Sequence, residues 1–311
     1  MSQSGRAEGM ARLRRVIAEI EAEAGPAIER PVQRLPLARA FDSALSGGLA
    51  DDALHEIAPA RPADGAAAMA FALALAARFL SRRQASALVI GEAFAAAESG
   101  ALYGPGLVAH GLPLSRLVFV RAPDAALAFW AIEEALKCGA PAAVIGEIWS
   151  LKGYTLAASR RLLLAARKGK VPALLILASA YGQAERLSSA AETRFEIAAA
   201  PSARTSAAAG PDLPGPFACG ARLIKSRLAR AGPEAPFQAF DAERVIRLEW
   251  RSEDMTFQDL AFKGLAFKDL AFKDLAFKDL AFKDMGVDDQ AISLPLAAAS
   301  GDRSRATARR H

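Results

Sequence analysis

Residues 60–67 read Ala60-Arg61-Pro62-Ala63-Asp64-Gly65-Ala66-Ala67, between an apolar lead-in carrying Leu54 and Ile57 and an apolar stretch that runs from Ala66 to Ala77. A second apolar segment, Ala87-Leu88-Val89-Ile90-Gly91, follows. Strand, glycine turn, helix and strand in that order form the frame in which a parallel α/β sheet holds a phosphate. A phosphate loop in this slot would read G-x-x-x-x-G-K-[ST], with backbone amides around the phosphates, the Lys on the β/γ oxygens and the hydroxyl on Mg²⁺. Here Ala66 stands for the Lys, Ala67 for the Ser/Thr, and Asp64 brings a negative charge to the place of an anion. Each lost charged contact is worth roughly 1.5–3 kcal/mol, so several together should abolish useful nucleotide affinity. The residues predict an NTPase-like fold without NTPase chemistry, and no catalytic residue, metal or cofactor is expected.

Two acids lie where such folds put their ligands, at the carboxyl edge of the sheet. Glu92 and Glu147 each follow an apolar segment ending in Gly91 or Gly146. In an NTPase one would position water and the other would sit near Mg²⁺; without the Lys and hydroxyl of the loop, a structural or remnant role is the expectation. Three histidines (His55, His110, His311) and two distant cysteines (Cys138, Cys219) give neither a zinc spacing nor a Ser-His-Asp triad, and suggest a reduced, cytoplasmic setting.

Cations are concentrated locally. Lys152, Arg160, Arg161, Arg167, Lys168 and Lys170 occupy a stretch with no acid between Ile148 and Ala184. On a helical wheel Arg160, Arg161, Arg167 and Lys168 share a sector of roughly 120°. A solvated helix usually mixes signs, so a one-sign face is a candidate contact for single-stranded DNA or an acidic partner, with a bland basic surface as the alternative. Arg222, Lys225, Arg227 and Arg230 form a second group of the same kind. No aromatic residues are interleaved with either group, so any nucleic-acid binding would be sequence-independent. The net charge of +5 permits such contacts without establishing them.

The elements that must position these residues alternate as in a mostly parallel sheet with helices on its faces. Strands are expected at 87–90, 117–120, 142–145 and 174–177, with a helical turn or two near 106–110. Asp124 and Thr155 are N-cap candidates for helices that Gly139 and Gly169 would close. Residues 194–197 and 245–250 alternate as half-exposed strands, which fits antiparallel additions at the sheet edge; 198–217 reads as a loop. Trp130 and Trp250 are expected in the core, and Trp149 on a loop. Pro31, Pro36, Gly47 and Gly48 mark a linker and turn before the core.

The ends differ in character. Leu13, Val16, Ile17 and Ile20 fall at helical spacing, which predicts an amphipathic helix within 1–30 that packs on its own domain or on a partner. From Phe257 to Lys283 the chain repeats Phe-Lys-Asp-Leu-Ala with small variations. Apolar steps of three and two suit neither helix nor strand, so 253–311 is expected to be a disordered, low-complexity tail ending in basic residues; an array of partner-binding peptides is the alternative. The apolar run 66–77 is short for a bilayer and no secretory pattern is seen, so no membrane partner is expected.

Several stretches together resemble a known family. Leu102-Tyr103-Gly104-Pro105-Gly106-Leu107, the run Trp130 to Ala140, Val144-Ile145-Gly146-Glu147 and Ala158 to Ala166 are similar to the inducible mutagenesis protein ImuA, a RecA-like family. So are the Phe41-Asp42 to Leu49 entry, His55-Glu56, and Thr193-Arg194-Phe195-Glu196-Ile197. The likeness covers about 40–250 and leaves the pentad repeat outside. It implies a RecA-like core over 31–252 with a degenerate phosphate loop (Arg61, Asp64, Gly65, Ala66, Ala67), and a role in the SOS response to DNA damage. It implies as partners an ImuB-like Y-family protein and an error-prone C-family polymerase in translesion synthesis, with RecA and single-stranded DNA as further candidates. The expected surface for DNA or partner is Lys152, Arg160, Arg161, Arg167, Lys168, Lys170 and Arg194. Competing expectations are a DNA-stimulated ATPase in which Arg61 replaces the missing Lys, and a direct regulator of RecA filaments.

Overall fold

A computed structural model describes residues 32–202, 215–227 and 244–260. The N-terminal amphipathic helix, Arg230 and the repeat beyond Leu260 lie outside these residues. The described chain opens with β1 (Arg34–Leu35), a single turn α1 (Arg39–Asp42) and β2 (Leu49–Ala50), which pairs antiparallel with β1. This entry is part of the core, not only a linker: Leu35, Phe41, Leu45 and Leu49 are buried. β3 (Leu54–Pro59) leads through a 3-10 turn at Pro62–Asp64 into α2 (Gly65–Arg82). β4 (Ala87–Glu92), α3 (Ala93–Ser99), α4 (Gly104–Ala109), β5 (Leu117–Ala122) and α5 (Ala125–Cys138) follow. Then come β6 (Ala143–Ile148), α6 (Leu156–Gly169), β7 (Ala173–Leu177) and β8 (Thr193–Ala199). β9 (Ala218–Ser226), β10 (Val245–Arg251) and β11 (Thr256–Leu260) complete the order.

Nine strands form one sheet in the order β11-β10-β9-β8-β3-β7-β6-β4-β5. The six from β8 to β5 are parallel, and β9, β10 and β11 add antiparallel. This is the mostly parallel, helix-flanked sheet that the sequence predicts. Strands covered on both faces alternate their burial partners. On β7, Leu174 and Ile176 face the layer containing α2, while Leu175 and Leu177 face the layer containing α5 and α6. Helix α2 meets β3, β6, β7 and β8. Phe71 on it lies 5.5 Å from the ring of Phe195, which in turn meets Phe41 edge-on at 5.7 Å. Burying each such ring contributes about 2–3 kcal/mol. By length and composition Pro62–Arg82 could cross a membrane, yet 72% of its apolar window is buried inside this fold.

Helix ends follow local chemistry. Asp124 accepts from the Leu127 amide at 2.9 Å and Thr155 from the Ala158 amide at 3.2 Å, as N-caps. Gly139 ends α5 in the left-handed region at φ 71°. Gly169, expected to close α6, is instead its last helical residue, and Lys170 takes the left-handed cap at φ 53°. The glycine at 169 answers to packing: a Cβ there would land on the Leu136 carbonyl oxygen, so the ends of α5 and α6 meet backbone to backbone.

Four expectations need correction. β8 is a parallel inner strand, not a half-exposed antiparallel edge, because its charged residues are buried in ion pairs. β9 is a full strand within a segment read only for its cations. Trp130 is 59% exposed on α5, so it is not core, whereas Trp250 is buried as expected. Finally, the ordered chain passes residue 252: β11 pairs with β10 and buries Phe257, the first aromatic of the repeat, against Trp250 with ring centroids 5.0 Å apart.

Candidate functional site

The turn between β3 and α2 is held shut by its own residues. Arg61 donates from Nε to Asp64 Oδ2 at 2.9 Å and from Nη2 to Oδ1 at 3.0 Å. Asp64 Oδ1 also accepts from the Ala199 amide at the end of β8, at 2.9 Å, and the carboxylate is 1% exposed. Three amides of the turn are occupied: Asp64 N–H donates to Arg61 O at 3.0 Å, Gly65 N–H to Pro62 O, and Ala60 N–H to Ile197 O at 2.8 Å. Gly65 is right-handed at φ −55°, and a Cβ added there meets nothing within 4 Å. Its lack of a side chain is therefore not what shapes the turn. These residues do not fit a nucleoside triphosphate and its metal. A buried carboxylate stands in the anion's place, and the nearest guanidinium is already bound to it.

Glu92 and Glu147 converge at the carboxyl edge, where the sequence placed them. Glu92 Oε1 accepts from the amides of Trp149 and Ser150 at 3.0 and 3.1 Å, so this buried carboxylate fixes the loop after β6. Phe94 meets Trp149 edge-on at 5.4 Å on that loop. Glu147 has no hydrogen-bond or ion partner among the described residues. Burial pushes its carboxyl up from the ordinary range, and the Glu92 carboxylate adds to the rise. It lines two abutting clefts, of about 280 and 310 Å³, that share Met69, Gly100, Ala101 and Leu102. No group of three or more His, Cys, Asp or Glu able to hold a metal occurs among the described residues.

The cations divide. Lys152, Arg160, Arg161, Arg167, Lys168 and Lys170 are all exposed on α6 and its flanks, as the helical wheel predicts. Their face is less purely basic than the sequence suggested, because Arg161 bonds Glu133 of α5, which Lys137 also meets at 2.8 Å. Burial opposes ionisation of Glu133, but these two cations outweigh it and hold the carboxyl below its ordinary value. Leu156 and Leu164 interrupt the same face, each about half exposed.

Arg194 is a correction. It is 1% exposed, donates to Glu56 Oε2 at 2.5 Å and to the carbonyls of Ala184 and Leu187, and reaches Ser189 Oγ at 2.8 Å. Tyr154 donates to the other Glu56 oxygen. A guanidinium so enclosed holds the interior together and cannot touch DNA. Arg222 is likewise paired with Glu196 and Glu185, and Lys225 Nζ donates to Ser189 O at 2.6 Å, so these two members of the second cationic group are held inside, while Arg227 is exposed. Sequence spacing gave no signal for the ion pairs, because the Glu56 partner of Arg194 is 138 residues away and the Glu196 partner of Arg222 is 26 away.

Fold and site thus define an α/β protein with a mostly parallel, helix-flanked sheet, whose turn between β3 and α2 is closed by an internal ion pair. No family model matches the sequence, and neither does any curated protein. Among solved structures the chain is similar to the RadB recombinase, at 15% identity over 74% of this chain and all of that one, with a TM-score of 0.44.

Proposed function

We propose that this chain is a non-catalytic RecA-like accessory factor of a DNA-damage-induced mutagenic translesion synthesis complex, acting in the cytoplasm and at the nucleoid after damage. Its work is binding: it holds a Y-family-like partner and an error-prone C-family polymerase together at damaged DNA. The observation that carries the loss of catalysis is the turn itself, in which Asp64 binds both Arg61 and the Ala199 amide. That same pair weighs against an ATPase built on Arg61, since Arg61 would first have to leave a bidentate partner. The partners come from the ImuA resemblance. The exposed α6 face adds a specific feature, since Leu156 and Leu164 among Arg160, Arg167 and Lys168 suit an amphipathic acidic protein segment better than a bare phosphate backbone.

Two measurements test the reading. Equilibrium titration with labelled ATP and Mg²⁺ should give no saturable binding at micromolar concentrations, and micromolar affinity lost on Arg61→Ala would establish the ATPase instead. Co-purification from damaged cells should return the Y-family-like protein and the polymerase, and Leu164→Glu should weaken their capture. Co-sedimentation with RecA filaments, in the absence of those two proteins, would favour the filament regulator.

A further inference from the structure

The two clefts beside Glu147 serve no part of the reading above; one of them begins at Gly65 and Ala66, just past the closed turn's ion pair, and neither is lined by Arg61 or Asp64. Their walls are apolar: Met69 and Leu73 from α2, Leu102, Leu107 from α4, and Val89 and Phe119 from β4 and β5. Tyr103, 73% exposed, stands at the mouth. The polar groups inside are few and mostly engaged. His110 Nε2 bonds Ala70 O at 2.9 Å, and Glu92 is held by two amides. Of the two carboxylates, Glu147 lines both clefts and has no partner among the described residues, its Oε2 3.7 Å from where a Cβ on Gly91 would sit. Arg121 lines the outer cleft but forms no ion pair with either carboxylate among the described residues.

We infer that this cleft is a binding site for a small organic cation, an ammonium or guanidinium group on an apolar body, with the cation on Glu147 and the body against Met69, Leu73 and Leu102. Charge decides the class. Two carboxylates side by side in an apolar setting repel each other and would repel any anion, whereas a cation satisfies the free one and relieves the pair. Volume agrees, since clefts of about 280 and 310 Å³ suit a molecule with one ring and a short chain. The rise in the Glu147 carboxyl is what an unfilled cation site produces, and binding should reverse it.

The test uses the full-length protein with ¹³C-methyl methionine and ¹⁵N amides, and phenethylammonium as the probe. A saturable shift is expected at Met69 and at the amides of 100–102. Phenethyl alcohol, the neutral isostere, should bind about tenfold to a hundredfold more weakly, as should phenethylammonium to Glu147→Gln. Leu102→Trp, which fills the cleft without touching Glu147, should abolish the shift, and it keeps the test informative if Glu147→Gln does not fold. Absence of a saturable shift, equal affinity for the alcohol, or indifference to both substitutions would overturn the assignment. So would tighter binding of Ac-Phe-Lys-Leu-NH₂ than of the free amine, which would give the site to a side chain of a partner protein. No DNA or second protein enters these titrations, so they stand or fall separately from the role in translesion synthesis.

Discussion

Replacing Asp64 by Ala should loosen the closed turn by a measurable amount. The substitution removes the acceptor of the Ala199 amide, and a buried donor left without a partner costs about 1–3 kcal/mol. It also frees Arg61, whose side chain is 37% exposed; this part of the loss is screened and amounts to about 0–1 kcal/mol. The sum is about 1–4 kcal/mol. Asp64→Asn should lose less than Asp64→Ala because an amide oxygen can still accept from Ala199. Arg61→Ala is not a mild control, since it leaves a carboxylate that is 1% exposed without its cation. Urea denaturation followed by tryptophan fluorescence reads the series, provided the slope with denaturant is constant. Equal loss for Asp64→Ala and Asp64→Asn would refute the reasoning, since the bond from Ala199 would then contribute nothing.

Other consequences are open to direct measurement. Arg194→Met should destabilise the fold by about 3–5 kcal/mol by leaving Glu56 buried without its cation, and adding Glu56→Gln should recover part of this in the same denaturation assay. Gly169→Ala should lower stability by about 1–3 kcal/mol because the new methyl meets the Leu136 carbonyl; a neutral effect in thermal unfolding would mean that the α5 and α6 ends separate freely. Reversing charge at Arg160 and Lys168 should reduce the salt slope of single-strand affinity by about 2 if DNA is bound there, and an unchanged slope would remove DNA from the role of this face. Burial lowers the pKa of His55, which sits between Thr193 Oγ1 at 2.8 Å and Ala50 O at 2.9 Å, and that of His110. Both stay neutral in the fold while the unfolded chain takes up protons near pH 6.5, so stability should fall as pH drops below about 6.5; a flat profile between pH 7 and 5, with His55→Asn as control, would contradict this.

Much of the fold was legible in the sequence wherever burial leaves an apolar run. β3, β4, β6 and β7 could be read because their neighbours cover both faces, and Asp124 and Thr155 announced the starts of α5 and α6 by cap chemistry. What stayed hidden was hidden by charge. Arg194 and Glu196 gave β8 the look of a half-wet segment, and Arg222 and Lys225 made β9 look like a group of cations, since an ion pair across strands leaves no periodic trace. Trp130 misled in the opposite direction, since a large aromatic does not by itself imply burial. At the turn, the missing Lys and hydroxyl were plain. The positive role of Asp64 was not: it had the look of a repellent charge, and its partners emerged only when β8 was laid beside β3.

That pairing of β8 with β3 turns a segment that could have been a moving part into a rivet. A loop that grips a nucleotide has two states, filled and empty, and everything it touches can follow the cycle. A loop pinned to a strand 135 residues further on has one. In the binding role proposed above, whatever this protein presents to its neighbours is then presented all the time, without an energy-driven clock.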